Sequence, residues 1–352
     1  MSKYIFFVIF AFFASLGLNA QTNRIKASLV VNKPTAETIN LYNFLLHQYG
    51  KKLASSTMAN VDWDTNEALW LEYHTTELPA MVGLDYIHMM LSEEMVDYSD
   101  TKFVEEWVEK GGFVNITWHW NTPIAKGSGD KEFYADKNDF SPKRALQKGT
   151  WENDFVNSDL EKVANYLLLL KEQNIPVIWR PLHEAAGNIY EFEGGSAWFW
   201  WGTEGGVVYK DLWQYMFDYF ESQGLNNLIW VWTTQTKDDD FYPGDKYVDI
   251  IGRDIYDNHD AEDIAKQFRE IQSTYNNKML ALSECGNVAK ISEQWAAGAK
   301  WSFFMPWYDY RRTKDLKSKN FKKREHKFCD IDWWEDVISC QFVLMLDDLS
   351  EQ

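Results

Sequence analysis

Cysteine, proline and positive charge are all scarce in this sequence. Three cysteines in 352 residues, at positions 285, 329 and 340, do not make a disulfide framework. Cys329 and Cys340 could pair in an oxidising compartment and leave Cys285 free, or all three could stay as thiols. With 8 prolines there is no proline-rich linker, and no repeat or low-complexity tract divides residues 21–352. The 35 Lys and Arg against 53 Asp and Glu give a net charge of −18. That balance excludes a nucleic-acid partner, whose phosphates need basic stripes, and disfavours an anionic membrane surface. No Cys-x-x-Cys pair, phosphate loop or dinucleotide fingerprint is present. His183-Glu184-Ala185-Ala186-Gly187 opens like a zinc-protease motif, but glycine stands where the second histidine would ligate. Neither metal nor cofactor is expected.

Long hydrophobic runs are missing too, apart from the start of the chain. Lys3, the apolar stretch Ile5–Leu16 and the small Ala20 make the charged, hydrophobic and cleavage regions of a secretory signal over residues 1–20. The stretch is too short to span a bilayer, and no cysteine follows it to carry a lipid, so no membrane anchor is expected. The expectation is an exported protein, periplasmic or extracellular, beginning near Gln21, with a monomer as the default state.

Aromatics, by contrast, are abundant, with 18 Trp, 18 Tyr and 22 Phe. A core absorbs part of them; flat faces lining a cleft for neutral ring-shaped ligands would absorb others. Eight short apolar runs recur, at Ser56–Asn60, Ala80–Leu84, Phe113–Trp118, Pro176–Arg180, Leu228–Thr233, Val248–Asp254, Met279–Glu284 and Trp301–Pro306. They lack clean alternation, as parallel strands covered on both faces do. Helical patterns lie between them. Asp159–Gln173 repeats apolar residues at helical spacing behind Ser158 as cap, and Tyr209–Gln223 carries one apolar stripe up to Gly224. A further helical stretch is read over Trp333–Met345, after the basic, solvated segment Lys314–Lys327. Alternating strand and helix gives βαβ units, and eight units predict a single α/β domain over residues 21–352, a (β/α)8 TIM barrel. In that fold chemistry sits just past the strands' C-terminal ends, where the βα loops converge.

Two of the predicted strands end in a carboxylate. The fourth runs into Arg180-Pro181-Leu182-His183-Glu184 and the seventh into Ser283-Glu284. Paired carboxylates at one barrel mouth suit glycoside hydrolysis, which needs one acid held neutral and one held ionised. Asp238-Asp239-Asp240 lacks the spaced pattern of a calcium loop and reads as a solvated turn.

Arg180–Glu184 followed by Trp198-Phe199-Trp200-Trp201-Gly202 resembles glycoside hydrolase family 26. Gly83–Tyr86, Trp118–Pro123, Asp254–Tyr256, Ser283-Glu284 and Trp307 extend the likeness through the chain in order. The resemblance implies a retaining β-1,4-mannanase on a (β/α)8 barrel, acting on mannan polysaccharide or manno-oligosaccharides. Carried over by position, it makes Glu184 the general acid/base and Glu284 the nucleophile. It makes His183 an orienting or sugar-binding group and Tyr256 a hydrogen-bond donor that keeps Glu284 ionised. His119 would reach a nearby sugar hydroxyl, and Trp198 and Trp307 would offer faces to sugar C–H groups.

The chain also departs from the family pattern. Ala185 and Ala186 replace the usual Met-Asn, and Asn188–Ala197 intervenes before Trp198. This lengthened loop, with Tyr190, Glu191, Phe192 and Glu193, could build or block a distal subsite, so mid-chain and end-on cleavage both stay open. The long third loop, His119–Asn157, is a second candidate cleft wall. A retaining mixed-linkage β-glucanase or β-1,3-xylanase is the alternative within the class; a non-catalytic glycan-binding barrel is the alternative outside it.

Overall fold

A computed structural model describes residues 25–59, 63–89 and 96–349; the expected signal at residues 1–20 lies outside them, as does Asn60 at the end of the first predicted strand. Eight parallel strands form one sheet in chain order: β1 (Ser56–Met58), β2 (Met81–Asp85), β3 (Phe113–Trp118), β4 (Val177–Pro181), β5 (Leu228–Thr234), β6 (Ile250–Tyr256), β7 (Met279–Gly286) and β8 (Phe304–Pro306). Where β8 comes round to β1, Ala54 and Phe303 form a parallel bridge and the Ala54 N–H donates to Ser302 O at 3.1 Å. The result is a nearly closed (β/α)8 barrel. Almost every strand residue is buried, which explains runs without polar alternation: helices cover the outside and side chains fill the inside. Gly83 on β2 shows how tight that interior is, since a Cβ there would fall 2.2 Å from the sulfur of Met305.

The main helices are α1 (Ala36–Gln48), α2 (Asn66–Thr75), α3 (Lys102–Glu109), α4 (Trp151–Glu172), α5 (Gly205–Ser222), α6 (Ala261–Thr274), α7 (Ile291–Ala297) and α8 (Ile331–Ser339). Helix α4 starts eight residues before the predicted Asp159. The hydroxyl of Thr150, not Ser158, caps it by accepting the Asn153 N–H, and Val156 carries the buried stripe back from Leu160. Helix α8 is shorter than the predicted Trp333–Met345. It stops at Ser339, and Val343–Leu344 instead pairs in parallel with Leu53–Ala54, clasping the end of the chain beneath the N-terminal face of the barrel. A β-branched and γ-branched apolar pair suits either state; pairing with Leu53–Ala54 decides it. All three cysteines are thiols, so Cys329 and Cys340 are not bridged.

Two long loops rise over the C-terminal face. The third carries a short hairpin, Thr122–Pro123 against Lys131–Glu132, and is stitched to the fourth: Ala135 N–H donates to Trp198 O at 2.8 Å, and Trp200 N–H to Phe133 O at 3.1 Å. The run Asp238–Asp240 is not simply solvated. Asp238 is buried, accepting from Thr234 Oγ1 at 2.7 Å and the Gln235 N–H at 2.8 Å, and so closes the turn after β5. No helix among the described residues is long and apolar enough to cross a membrane.

Candidate active site

The site begins with a cation in an apolar strand. Arg180 is wholly buried in β4, where an unpaired guanidinium would be prohibitively costly. Its Nη1 donates to Asp254 Oδ2 at 2.8 Å and Thr233 Oγ1 at 3.2 Å, and its Nη2 donates to Glu284 Oε2 at 2.5 Å. The other oxygen of Asp254 accepts from Ser283 Oγ at 2.6 Å. The β6–β7 register shifts between Leu282 and Glu284, and this irregularity lets the consecutive Ser283 and Glu284 both address the barrel mouth. Tyr256, at the end of β6, donates its hydroxyl to Glu284 Oε1 at 2.5 Å. Each oxygen of Glu284 therefore has its own donor.

Glu184 sits in a different setting. The chain leaves β4 through Leu182 at φ 46° and Glu184 at φ 50°, left-handed conformations that are unfavourable for side chains of this kind. Their cost is offset by the packed turn that follows, in which the Gly187 N–H donates to Glu184 O at 3.0 Å. Burial, then the charges of Asp254 and Glu284, push the Glu184 carboxyl well above the usual carboxylate range, against a weaker pull from Arg180 and Arg253. Burial also raises Glu284, but Arg180, Tyr256 and His119 hold that rise in check. The two environments thus separate one carboxyl suited to carrying a proton from one suited to carrying charge.

Behind them runs a histidine pair. Asp85, at the end of β2, accepts the His119 N–H on Oδ1 at 3.0 Å and lies 2.5 Å from His119 Nδ1 through Oδ2. His119 Nε2 is 3.2 Å from His183 Nε2, and His183 Nδ1 is 3.5 Å from Thr117 Oγ1. Burial and the neighbouring Arg180 lower the pKa of His183 well below the usual range, so its ring is neutral. His183 is 1% exposed and turned toward His119.

Of the residues singled out from sequence, Glu184, Trp198 and Tyr256 line one cavity of about 310 Å³. Tyr256 links that cavity to Glu284, and His119 packs 5.8 Å from the ring of Trp307. Trp307 itself lines a separate hollow of about 420 Å³ with Tyr308, Asp309 and Lys327. Trp200 and Trp201 are core residues, fully buried. Asp85, Asp254, Ser283 and Arg180 join the site without any role of their own being legible from their spacing. A charged residue inside an otherwise apolar parallel strand was the available signal for Arg180. Among the described residues no group of three or more His, Cys, Asp or Glu is placed to hold a metal ion.

Known proteins resemble this chain over most of its length. The profile of glycosyl hydrolase family 26 matches residues 30–330. A mannan endo-1,4-beta-mannosidase of Thermothelomyces thermophilus is 32% identical over 299 residues, covering 79% of this chain and 57% of that protein. One from Bacillus subtilis (strain 168) is 32% identical over 271 residues, covering 71% and 70%. The chain spans about half the length of several such relatives, for example 49% of mannan endo-1,4-beta-mannosidase B of a Piromyces species. Among solved structures, the family 26 domain of a Prevotella bryantii endo-beta-mannanase/endo-beta-glucanase superposes with a TM-score of 0.84 at 36% identity, covering 92% of this chain and 99% of that one. A beta-mannanase from a symbiotic protist of the termite Reticulitermes speratus, complexed with gluco-manno-oligosaccharide, gives 0.76 at 33% identity over 92% and 98%. The chain belongs to glycosyl hydrolase family 26.

Proposed function

We propose that this protein is a retaining endo-β-1,4-mannanase, with Glu284 as nucleophile and Glu184 as acid/base. The observation that carries the reading is the contrast between the two carboxyls: Glu284 takes a donor on each oxygen, from Arg180 and Tyr256, while burial and carboxylate neighbours favour the protonated form of Glu184. Glu284 attacks the anomeric carbon as the Glu184 proton passes to the departing glycosidic oxygen, leaving a glycosyl ester on Glu284. Glu184, now a carboxylate, takes a proton from water; the water oxygen bonds to the anomeric carbon and Glu284 departs. His119 and the rings of Trp198 and Trp307 supply polar and flat contacts for the sugar. The mannan preference rests on relatives named for it, and the gluco-manno-oligosaccharide bound by the protist enzyme supports glucomannan as well as mannan.

Reducing-sugar release from linear mannan, galactomannan, mixed-linkage glucan and xylan, for the wild type and Glu284→Ala in parallel, tests the activity. Release from mannans that is lost in the variant is expected, with a ladder of internal cleavage products and retained anomeric configuration by NMR. Release from mixed-linkage glucan alone would favour the β-glucanase reading; the Prevotella bryantii enzyme, whose name couples mannanase with glucanase, motivates including it. Folded protein that binds a glycan and cleaves none would sink the hydrolase reading. Export is proposed on the strength of residues 1–20, and N-terminal sequencing of the cell-free protein should start near Gln21.

A further inference from the structure

Two of the three cysteines lie beside the site without a part in the chemistry above. Cys285 follows Glu284 on β7 and is fully buried; Cys329, just ahead of α8, is 1% exposed. The backbone on both sides is fixed. Cys285 O accepts the Trp307 N–H at 2.9 Å, and Cys285 stands in register with Ile255 on β6 and Pro306 on β8. The segment that carries Cys329 runs back against the same strand end. Phe328 O accepts the Asn287 N–H at 2.8 Å, and His326 Nδ1 accepts the Phe328 and Cys329 N–H groups, each at 3.1 Å. Phe328 packs so tightly on β7 that a Cβ on Gly286 would fall 2.3 Å from its ring. Within this packing the Cys285 and Cys329 thiols meet and hydrogen-bond one another.

Distance excludes the third cysteine from the pair. Cys329 stands just before the N-terminal end of α8 and Cys340 just past its C-terminal end. The 9 residues of that helix, at ~1.5 Å each, put roughly 13 Å between them, well beyond the ~7 Å that a disulfide can span between Cα atoms. Cys340 therefore lies near the N-terminal face of the barrel, by the Val343–Leu344 pairing, and its thiol donates to Asp336 O at 3.2 Å. Cys285 lies at the opposite face, near the end of β7.

Sulfurs in hydrogen-bond contact need to move only about 2 Å to reach the ~2.05 Å of a disulfide. Burial, then the Cys329 thiol, push Cys285 well above the usual thiol range. In the folded protein it is thus a poor nucleophile, closed to oxidants in solution. Oxidation belongs to folding, while both sulfurs can still be reached.

We propose that Cys285 and Cys329 are a disulfide-forming pair, oxidised as the chain folds, which ties the strand bearing Glu284 to the segment entering α8. The co-reactant is a small disulfide such as oxidised glutathione. One protein thiolate attacks it, forming a mixed disulfide and releasing one glutathione thiolate. The second protein thiolate attacks the protein sulfur of that mixed disulfide and expels the other. The protein gives up two electrons and two protons and gains one S–S bond; glutathione disulfide takes them up and becomes two thiols. Export, proposed above from residues 1–20, would bring the chain into a compartment that holds such oxidants. The inference does not rest on the glycosidase reading.

The full chain, denatured with reductant and refolded either in a glutathione redox buffer or in reductant alone, tests it. Mass mapping after alkylation of free thiols is expected to show a linked Cys285–Cys329 peptide pair and an alkylated Cys340. Closing so long a loop should raise the melting temperature of the oxidised protein by about 3–6 °C over the reduced. One chain is compared in two redox states, so the result does not depend on a variant that folds. Cys340→Ala should keep the bond and the shift, and Cys329→Ala should lose both. Oxidised glutathione added to folded, reduced protein should form the bond at least ~10-fold more slowly than refolding does. Three free thiols in natively refolded protein, or a bond to Cys340, would overturn the pairing. Equally fast oxidation of the folded protein would overturn its assignment to folding.

Discussion

Tyr256 donates its hydroxyl to Glu284 at 2.5 Å, and it can do so only as a neutral phenol. Burial and the charge of Glu284 keep it so by raising the phenol well above its usual range. The bond stabilises the ionised form of Glu284, the form that attacks in the proposed mechanism. Removing it in Tyr256→Phe favours the neutral acid and raises the Glu284 pKa. The acidic limb of the kcat/KM profile should therefore move to higher pH, and kcat should fall about 10- to 100-fold, as expected for a hydrogen bond to a charged group worth ~1.5–3 kcal/mol. A profile with an unmoved acidic limb would deny Tyr256 this part.

Arg180 couples Glu284 to Asp254 from the inside of the barrel. Arg180→Met leaves two carboxylates facing each other without their cation. Breaking one partner of a buried pair costs about 3–5 kcal/mol, so the chemical denaturation midpoint should fall steeply at neutral pH. Arg180→Lys retains the charge but cannot reach Asp254, Thr233 and Glu284 from one planar fork. It should recover a large part of the stability and little of the activity. Equal loss of both properties in the two variants would show that the charge contributes nothing without the planar fork, and a lysine variant as active as wild type would show that charge alone matters here.

The barrel was legible because its strands are buried on both faces and stand out as apolar runs; all eight appear within a few residues of where they were read. The start of helix α4 is hidden in the sequence because its first two turns, from Trp151, are largely polar and its cap Thr150 lies beyond the obvious stripe. The strand at Val343–Leu344 is hidden because it takes its conformation from Leu53–Ala54, nearly the whole chain away. Glu184 and Glu284 were legible as carboxylates close to the C-terminal ends of apolar strands, Glu184 three residues past β4 and Glu284 two residues before the end of β7. Asp85 was not, because its meaning depends on lying across β2 and β3 from His119, a relation that spacing does not encode.

That relation is itself testable. Asp85 holds His119 through both its backbone and its ring, and His119 in turn meets His183. Asp85→Asn keeps the shape but replaces a charged acceptor by an amide, whose NH2 group cannot accept from Nδ1. The imidazole should then turn or change tautomer, visible in nitrogen-15 NMR of labelled histidine. kcat/KM on mannan is expected to fall about 10- to 100-fold with circular dichroism unchanged. Because Asp85 would act only by positioning His119, Asp85→Asn and His119→Ala should not be additive: the double variant should be little worse than His119→Ala alone. Additive losses would place Asp85 elsewhere in the mechanism.

Glu184 carries a cost in stability that follows from its environment. Its pKa is raised in the folded protein, so the folded state favours the protonated acid. A raised folded pKa means a contribution that is intact below the unfolded value, near 4.3, and lost as pH rises through the folded one. At neutral pH the wild type is therefore forced toward burying a charge, whereas Glu184→Gln presents an uncharged group of the same shape. The variant should lose nearly all hydrolysis of polysaccharide, which needs a proton donor, yet unfold about 1–3 °C higher at neutral pH. Below pH 4 the two proteins should unfold together, since both then carry a neutral group at that position. Thermal unfolding from below pH 4 up to pH 8 checks this, and a gap that stayed constant with pH would mean that the gain came from packing and not from relief of a buried charge.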